Sequence, residues 1–186
     1  MIRRALTDAE RTNWLRLTRT DNVGPVTFFE LIRRFNSDFD AIFSTLPELA
    51  TRRKSSRKFI IPSQTEVEDE LAKADRLKIR MLAACEPDYP IPLAALSPPP
   101  PIICIRGRTD ALLKPAIAMV GARNASAAGR KLARDISSAL SASGYTIVSG
   151  MARGIDGEAH AAAIKSGLTI AVLAGGVDAI YPPEHE

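Results

Sequence analysis

Two arginines stand inside glycine-bearing stretches, Arg123 in "MVGARNAS" and Arg153 in "VSGMARGID", and a glycine pair, Gly175 and Gly176, interrupts "VLAGGVD". Arginine presents a planar fork of N–H donors that matches phosphate oxygens. Glycine lets backbone approach a ligand closely and admits positive φ. Ser126, three residues beyond Arg123, is placed to cap a helix whose N-terminal amides and dipole favour an anion. The chemistry these residue types suggest is phosphate binding, with Gly121, Gly150, Gly154, Gly175 and Gly176 lining one crevice and Arg123 and Arg153 supplying charge. The phosphate's owner stays open at this point: a dinucleotide, a small nucleotide or a nucleic-acid backbone.

Other chemistries fit poorly. The dinucleotide fingerprint needs G-x-G-x-x-G, but Gly121 is followed by Arg123 and the next glycine is Gly129. An arginine at that place would crowd a pyrophosphate. A G-x-x-x-x-G-K loop is absent as well. Asp156 and His160 are spaced i, i+4 with Glu158 between them, yet no third ligand stands at a metal-binding spacing. Asp156 reads instead as the N-cap of a helix that Gly167 closes. Ser149 follows a strand but lacks the glycine two residues earlier that a nucleophile elbow requires. Lys114, Lys165 and Tyr181 have no partner that would tune them. The reading is therefore a binding protein with no catalytic set, no metal and no cofactor. Cys85 and Cys104 are too few for a disulfide framework or a zinc site and read as reduced thiols beside strands.

The elements that must position these residues follow from hydrophobic period. Strands are expected at 116–120, 145–148 and 169–173, with helices at about 126–142 and 157–166 between them. Alternating strand and helix, with nearly continuous apolar strands, implies a mainly parallel, Rossmann-like doubly wound α/β sheet covered on both faces. Ligands of such sheets bind beyond the carboxyl ends of the strands. The three glycine loops all fall there. Upstream, "IRMLAA" and "IICIRG" read as short strands around a proline-rich extended segment, and "QTEVEDELAKADRLK" as an amphipathic helix. Residues 1–65 read as a small helical domain. Thr7 and Glu10 form a capping-box pattern, Trp14, Leu15 and Leu17 an apolar face, and "NVGP" a turn before a helix carrying Phe28, Phe29, Leu31, Ile32 and Phe35. A third short helix is expected around "SDFDAIFSTLPELA". The expected division is thus 1–65, helical, and 66–186, α/β.

Among 186 residues the net charge is +4, and it is unevenly placed. Residues 1–65 hold twelve Lys/Arg against seven Asp/Glu, whereas 66–186 hold thirteen against fourteen. Five cations crowd into "RRKSSRK", residues 52–58, a run that can dock on a polyanion or lie solvated. The hydrophobic content of 46% is that of a folded protein, no apolar run approaches the ~18 residues of a membrane span, and the N-terminus lacks a signal-peptide core. A cytoplasmic protein is expected.

Taken together, "PAIAMVGARNASAAGRKLARDIS", "GYTIVSGMARGIDGEAHAAAIKSG" and "TIAVLAGGVDAIYPPEHE", led by "IRMLAACEPDYPIPLAALSPPPPIICIRG", resemble the DNA-processing protein A (DprA/Smf) family. The N-terminal "NVGPVTFFELIRRF" fits that family's helical domain, similar to a sterile-alpha-motif or helix-hairpin-helix module. The resemblance implies a non-catalytic recombination mediator of natural transformation. Such proteins bind and protect single-stranded DNA and help load the RecA recombinase, and they act as homodimers. It maps the family's DNA-contacting motifs onto Gly121 and Arg123, onto Ser149, Gly150, Arg153 and Gly154, and onto Gly175 and Gly176. The family continues past "YPPEHE" with further strands, an arginine-rich segment and a dimerisation surface. A fragment, truncated before the end of its Rossmann-like domain, is therefore expected. Two other readings are a nucleotide-processing phosphoribohydrolase-like enzyme, whose P-G-G-x-G-T-x-x-E loop "AGGVDAIYPPE" does not reproduce, and a nucleotide-sensing interaction module.

Overall fold

The computed structural model describes residues 3–52 and 59–185, so "RRKSSRK" lies outside the described residues except for the helical backbone of Arg52. The chain forms two compact units, Met1–Ile105 and Arg106–Glu186. The change of period expected near residue 65 falls inside the first unit.

The first unit opens with α1 (Asp8–Arg19), α2 (Pro25–Arg34), α3 (Phe39–Arg52) and α4 (Gln64–Arg76). Two capping boxes start helices here. In the first, the Glu10 N–H donates to Thr7 Oγ1 at 3.3 Å and the Thr7 N–H donates to Glu10 at 2.9 Å. The second, between Ser63 and Glu66, uses the same reciprocal bonds at 3.2 and 2.7 Å. Each satisfies backbone donors that a helix start leaves orphaned. Trp14, Leu17, Phe28, Leu31, Ile42 and Leu46 share one core. Within it the Trp14 and Phe28 rings meet edge to face with centroids 4.9 Å apart, a favoured aromatic geometry.

Strands β1 (Ile79–Ala83) and β2 (Ile102–Arg106) pair, and the short α5 (Ile91–Ala94) lies between them. The "EPDYP" segment after β1 is a clasp. Glu86 is 5% exposed, accepts the Ala83 N–H at 2.8 Å and receives Arg11 from α1 at 2.6 and 3.0 Å. Arg11 also donates to the Met81 carbonyl at 2.7 Å. Tyr89 is buried and its hydroxyl donates to the Pro100 carbonyl at 2.8 Å, and burial pushes the phenol up to about 12. These bonds, with the packing of α1 on α4 and of α4 on β1, explain why α4 and the strand pair belong with the helices. Cys85 is buried and Cys104 half-buried, and neither forms a disulfide among the described residues.

The second unit holds β3 (Ala116–Ala118), α6 (Ala127–Ala142), β4 (Thr146–Ser149), α7 (Ile155–Ser166) and β5 (Thr169–Ala171). The strands form a parallel sheet in the order β3-β4-β5, with Ile117 beside Ile147 and Ile147 beside Thr169. The β-α-β-α-β run is one half of a Rossmann-like sheet. Both crossovers step in the same direction along the sheet. Crossovers of one hand stepping one way leave their helices on the same side, and α6 and α7 pack against each other there. Within this unit the two helices cover one face, and on the other Thr146 is buried with its Oγ1 donating to the Ala111 carbonyl at 3.1 Å. Their side of the sheet buries Ile147 against Ala159 and Ala163, flanked by Met119 and Leu140. The two helices meet on small residues: Ser141 on α6 is buried and donates from Oγ to the Ala163 carbonyl of α7 at 3.0 Å. Among the described residues no helix is long and apolar enough to cross a membrane.

Candidate nucleic-acid interface

Parallel strands deliver their C-terminal loops to one edge, so the loops after β3, β4 and β5 are neighbours. The loop after β3 carries Gly121 and Arg123 into α6. Ser126 caps that helix as expected, its Oγ accepting the Gly129 N–H at 3.1 Å. Arg130 reaches back to the Ala125 carbonyl at 3.3 Å and steadies the loop from the helix side. Ser126→Ala should cost about 1 kcal/mol, the usual worth of such a cap, and urea denaturation measures it.

Gly121 and Gly154 owe their type to each other's loops. A Cβ on Gly121 would stand 2.5 Å from Ile155 Cγ1. Gly154 has φ +82°, and a Cβ there would collide with the Ala122 and Arg123 carbonyl oxygens. The Ile155 N–H donates to the Ala122 carbonyl at 3.3 Å, closing the contact. The two arginine-bearing loops are therefore stitched together through backbone.

Asp156 is not the N-cap of α7. Gly154 holds that place, and Asp156 lies in the first turn, 6% exposed. Its carboxylate reaches back to accept the Gly150 N–H at 3.2 Å and the Ala152 N–H at 3.4 Å. It thereby folds the Gly150–Gly154 loop around Met151, whose φ of +63° is rare for a residue with a side chain. Ser149 is buried and its Oγ donates to the Met119 carbonyl at 2.7 Å, so the hydroxyl serves the sheet. Gly175 and Gly176 are exposed, with open space around the Gly175 Cα.

The two arginines differ sharply. Arg123 is exposed and makes no hydrogen bond or ion pair among the described residues. Arg153 Nε donates to Glu184 at 2.6 Å, and the hydrogen bond from that guanidinium holds the Glu184 carboxyl below the usual carboxylate range. Glu184 escaped the sequence reading because it stands 31 residues from its partner. His185 beside it uses Nδ1 on the Met151 carbonyl at 2.8 Å.

His160, paired by spacing with Asp156, turns toward the sheet. Its Nδ1 lies 2.6 Å from Thr169 Oγ1, and that hydroxyl donates to the Ile147 carbonyl at 2.8 Å. The threonine proton is thus committed, and the imidazole must donate from Nδ1. Burial pushes the ring below its ordinary range and holds it neutral. Among the described residues no group of three His, Cys, Asp or Glu could hold a metal ion.

Comparison with known proteins bears on this arrangement. Residues 80–186 match a family described as DNA recombination-mediator protein A, and residues 8–73 match a DprA-like N-terminal HHH domain. A Synechocystis protein named Smf is 33% identical over 97% of this chain and 48% of its own length. The DNA processing protein DprA of Bacillus subtilis is 41% identical over 52% of this chain and 33% of its own. The chain therefore spans about half, or less, of these relatives. The X-ray structure of DprA from Streptococcus pneumoniae shares the fold, with a TM-score of 0.68 at 23% identity over 98% of this chain and 63% of that one. A Helicobacter pylori DNA processing protein A, described for its unique single-stranded DNA binding mode, aligns with a TM-score of 0.52 at 26% identity, covering 59% of this chain and 48% of that one.

Proposed function

Because the chain belongs to the DNA recombination-mediator protein A (DprA/Smf) family, we propose that it binds single-stranded DNA by its phosphates at the loops after β3, β4 and β5. The observation that carries this reading is Arg123: an exposed guanidinium without a partner among the described residues, held beside a capped helix start and a second arginine loop. A free guanidinium fork is suited to phosphate and reads no base, so the contact positions a strand without sequence preference. Gly121, Gly150 and Gly154 shape the loops, Ser126 fixes the helix start, Ser149 braces the sheet beneath, and Arg153, Gly175 and Gly176 extend the surface. The action is binding rather than catalysis. We read this step as serving natural transformation, with protection of incoming strands, RecA loading and homodimerisation as its further parts. The single-strand binding described for the H. pylori relative supports the choice of ligand.

Fluorescence anisotropy with a labelled oligonucleotide of ~20 nucleotides tests it, a length that spans a backbone-tracking site. Arg123→Ala should weaken binding about tenfold at low salt. It should also flatten the slope of log K against log salt by about 0.7, the contribution of one phosphate contact on a single strand. Unchanged affinity would remove Arg123 from the site. Tighter binding of mononucleotides than of the oligonucleotide would favour a nucleotide sensor instead.

A further inference from the structure

Resting on that reading of the strand-end loops, we propose that Glu184 is an internal competitor for phosphate, occupying Arg153 until a nucleic-acid strand displaces it. The carboxylate sits at 2.6 Å from Arg153 Nε, the distance of a charge-assisted hydrogen bond such as a phosphate oxygen would make. Among the described residues only that one guanidinium N–H is engaged, which leaves the Nη edge open to an incoming oxygen. Both partners are well exposed, at 65% and 49% of their side-chain surfaces, so water and salt screen the pair and exchange is easy.

The position of Glu184 does not depend on the pair itself. Pro182, two residues before it, is fully buried. His185, the residue after it, bonds the Met151 carbonyl and lays its ring so close to Gly157 that a Cβ there would stand 2.7 Å from the imidazole. Anchors on both sides thus keep a negative charge tethered over the Arg153 loop, and a tethered competitor acts at high effective concentration. The two arginines then have separate roles. Arg123 makes first contact with any phosphate, whereas Arg153 engages only a strand able to displace the carboxylate.

The test is Glu184→Gln, measured by anisotropy with the same oligonucleotide and with inorganic phosphate as a competitor. Binding should tighten about two- to fivefold at low salt, the scale set by an exposed ion pair. The salt slope should steepen by up to about 0.7, because no displaced carboxylate recaptures a cation. Two controls separate competition from a general gain of positive charge. Glu158→Gln removes a neighbouring carboxylate paired with Arg134 at 2.7 Å and should give a smaller effect. In an Arg153→Ala background, Glu184→Gln should give no gain. A gain that persists without Arg153, or that Glu158→Gln equals, would overturn the proposal. Unchanged binding on Glu184→Gln would overturn it too, and weaker binding would overturn it by making Glu184 a residue that orients Arg153. Loss of the inference leaves the function standing if the oligonucleotide still binds in an Arg123-dependent way, and absence of such binding overturns the function itself.

Discussion

Gly154→Ala is expected to lower the stability of the second unit by about 3 kcal/mol and to abolish most oligonucleotide binding with it. Two costs act together. The backbone at Gly154 has φ +82° and ψ −125°, a region that residues with a Cβ almost never occupy. The added methyl would also strike the Ala122 and Arg123 carbonyl oxygens. Relief requires either loop to withdraw, which breaks the Ile155 to Ala122 hydrogen bond and moves Arg123. Gly175→Ala supplies the contrast. Nothing lies within 4 Å of a Cβ there and its φ is not in the positive region, so stability should change by no more than about 0.5 kcal/mol. Urea unfolding of both variants, followed by anisotropy, checks the pair. Equal stabilities would show that the two loops are not pressed together.

The second large effect lies in the first unit. Arg11→Ala leaves the buried Glu86 carboxylate without its cation, and such orphaned charges cost about 3 kcal/mol. Burial opposes ionisation of Glu86, yet Arg11 and the Ala83 N–H hold its carboxyl below the usual range. A depressed carboxylate contributes stability above its unfolded value and loses it as pH falls through the folded one. The wild-type chain should therefore lose stability on acidification below the ordinary carboxylate range. Arg11→Ala should be less stable at neutral pH and show a shallower acid limb. Urea midpoints at neutral and acid pH measure both. An unaltered acid limb in the variant would assign the pH dependence to other groups.

Local rules carried the sequence reading well where partners are close in the chain. Thr7 with Glu10, and Ser126 with Gly129, are contacts over three residues, and both caps formed as the spacing indicates. The alternation of strands and helices in the second unit likewise follows from period alone, to within two residues at most ends. The reading failed where geometry depends on a loop's path. Asp156 stands at the right place for a cap, but left-handed backbone at Met151 curls the preceding amides under its carboxylate. Ser149 has the type of a ligand and the environment of a sheet residue. Arg11 and Glu86 are 75 residues apart, Arg153 and Glu184 31, and no periodicity encodes such pairs. The placing of α6 and α7 on the same side of the sheet is a matter of crossover direction, which hydrophobicity does not carry.

The small residues between α6 and α7 have a mechanical consequence. Gly167 leaves no room for a Cβ beside Ser141, whose hydroxyl bonds the neighbouring helix, and Ser166 bonds the Ser138 carbonyl at 3.2 Å. Each helix begins at one of the two arginine loops, so the helices act as paired stems that fix the separation of those loops. Without slack between the stems, Arg123 and Arg153 keep a set spacing before any strand arrives. Little backbone entropy is then lost in ordering the loops on binding, and a polymer whose charges repeat along its length meets arginines already rooted at a fixed interval.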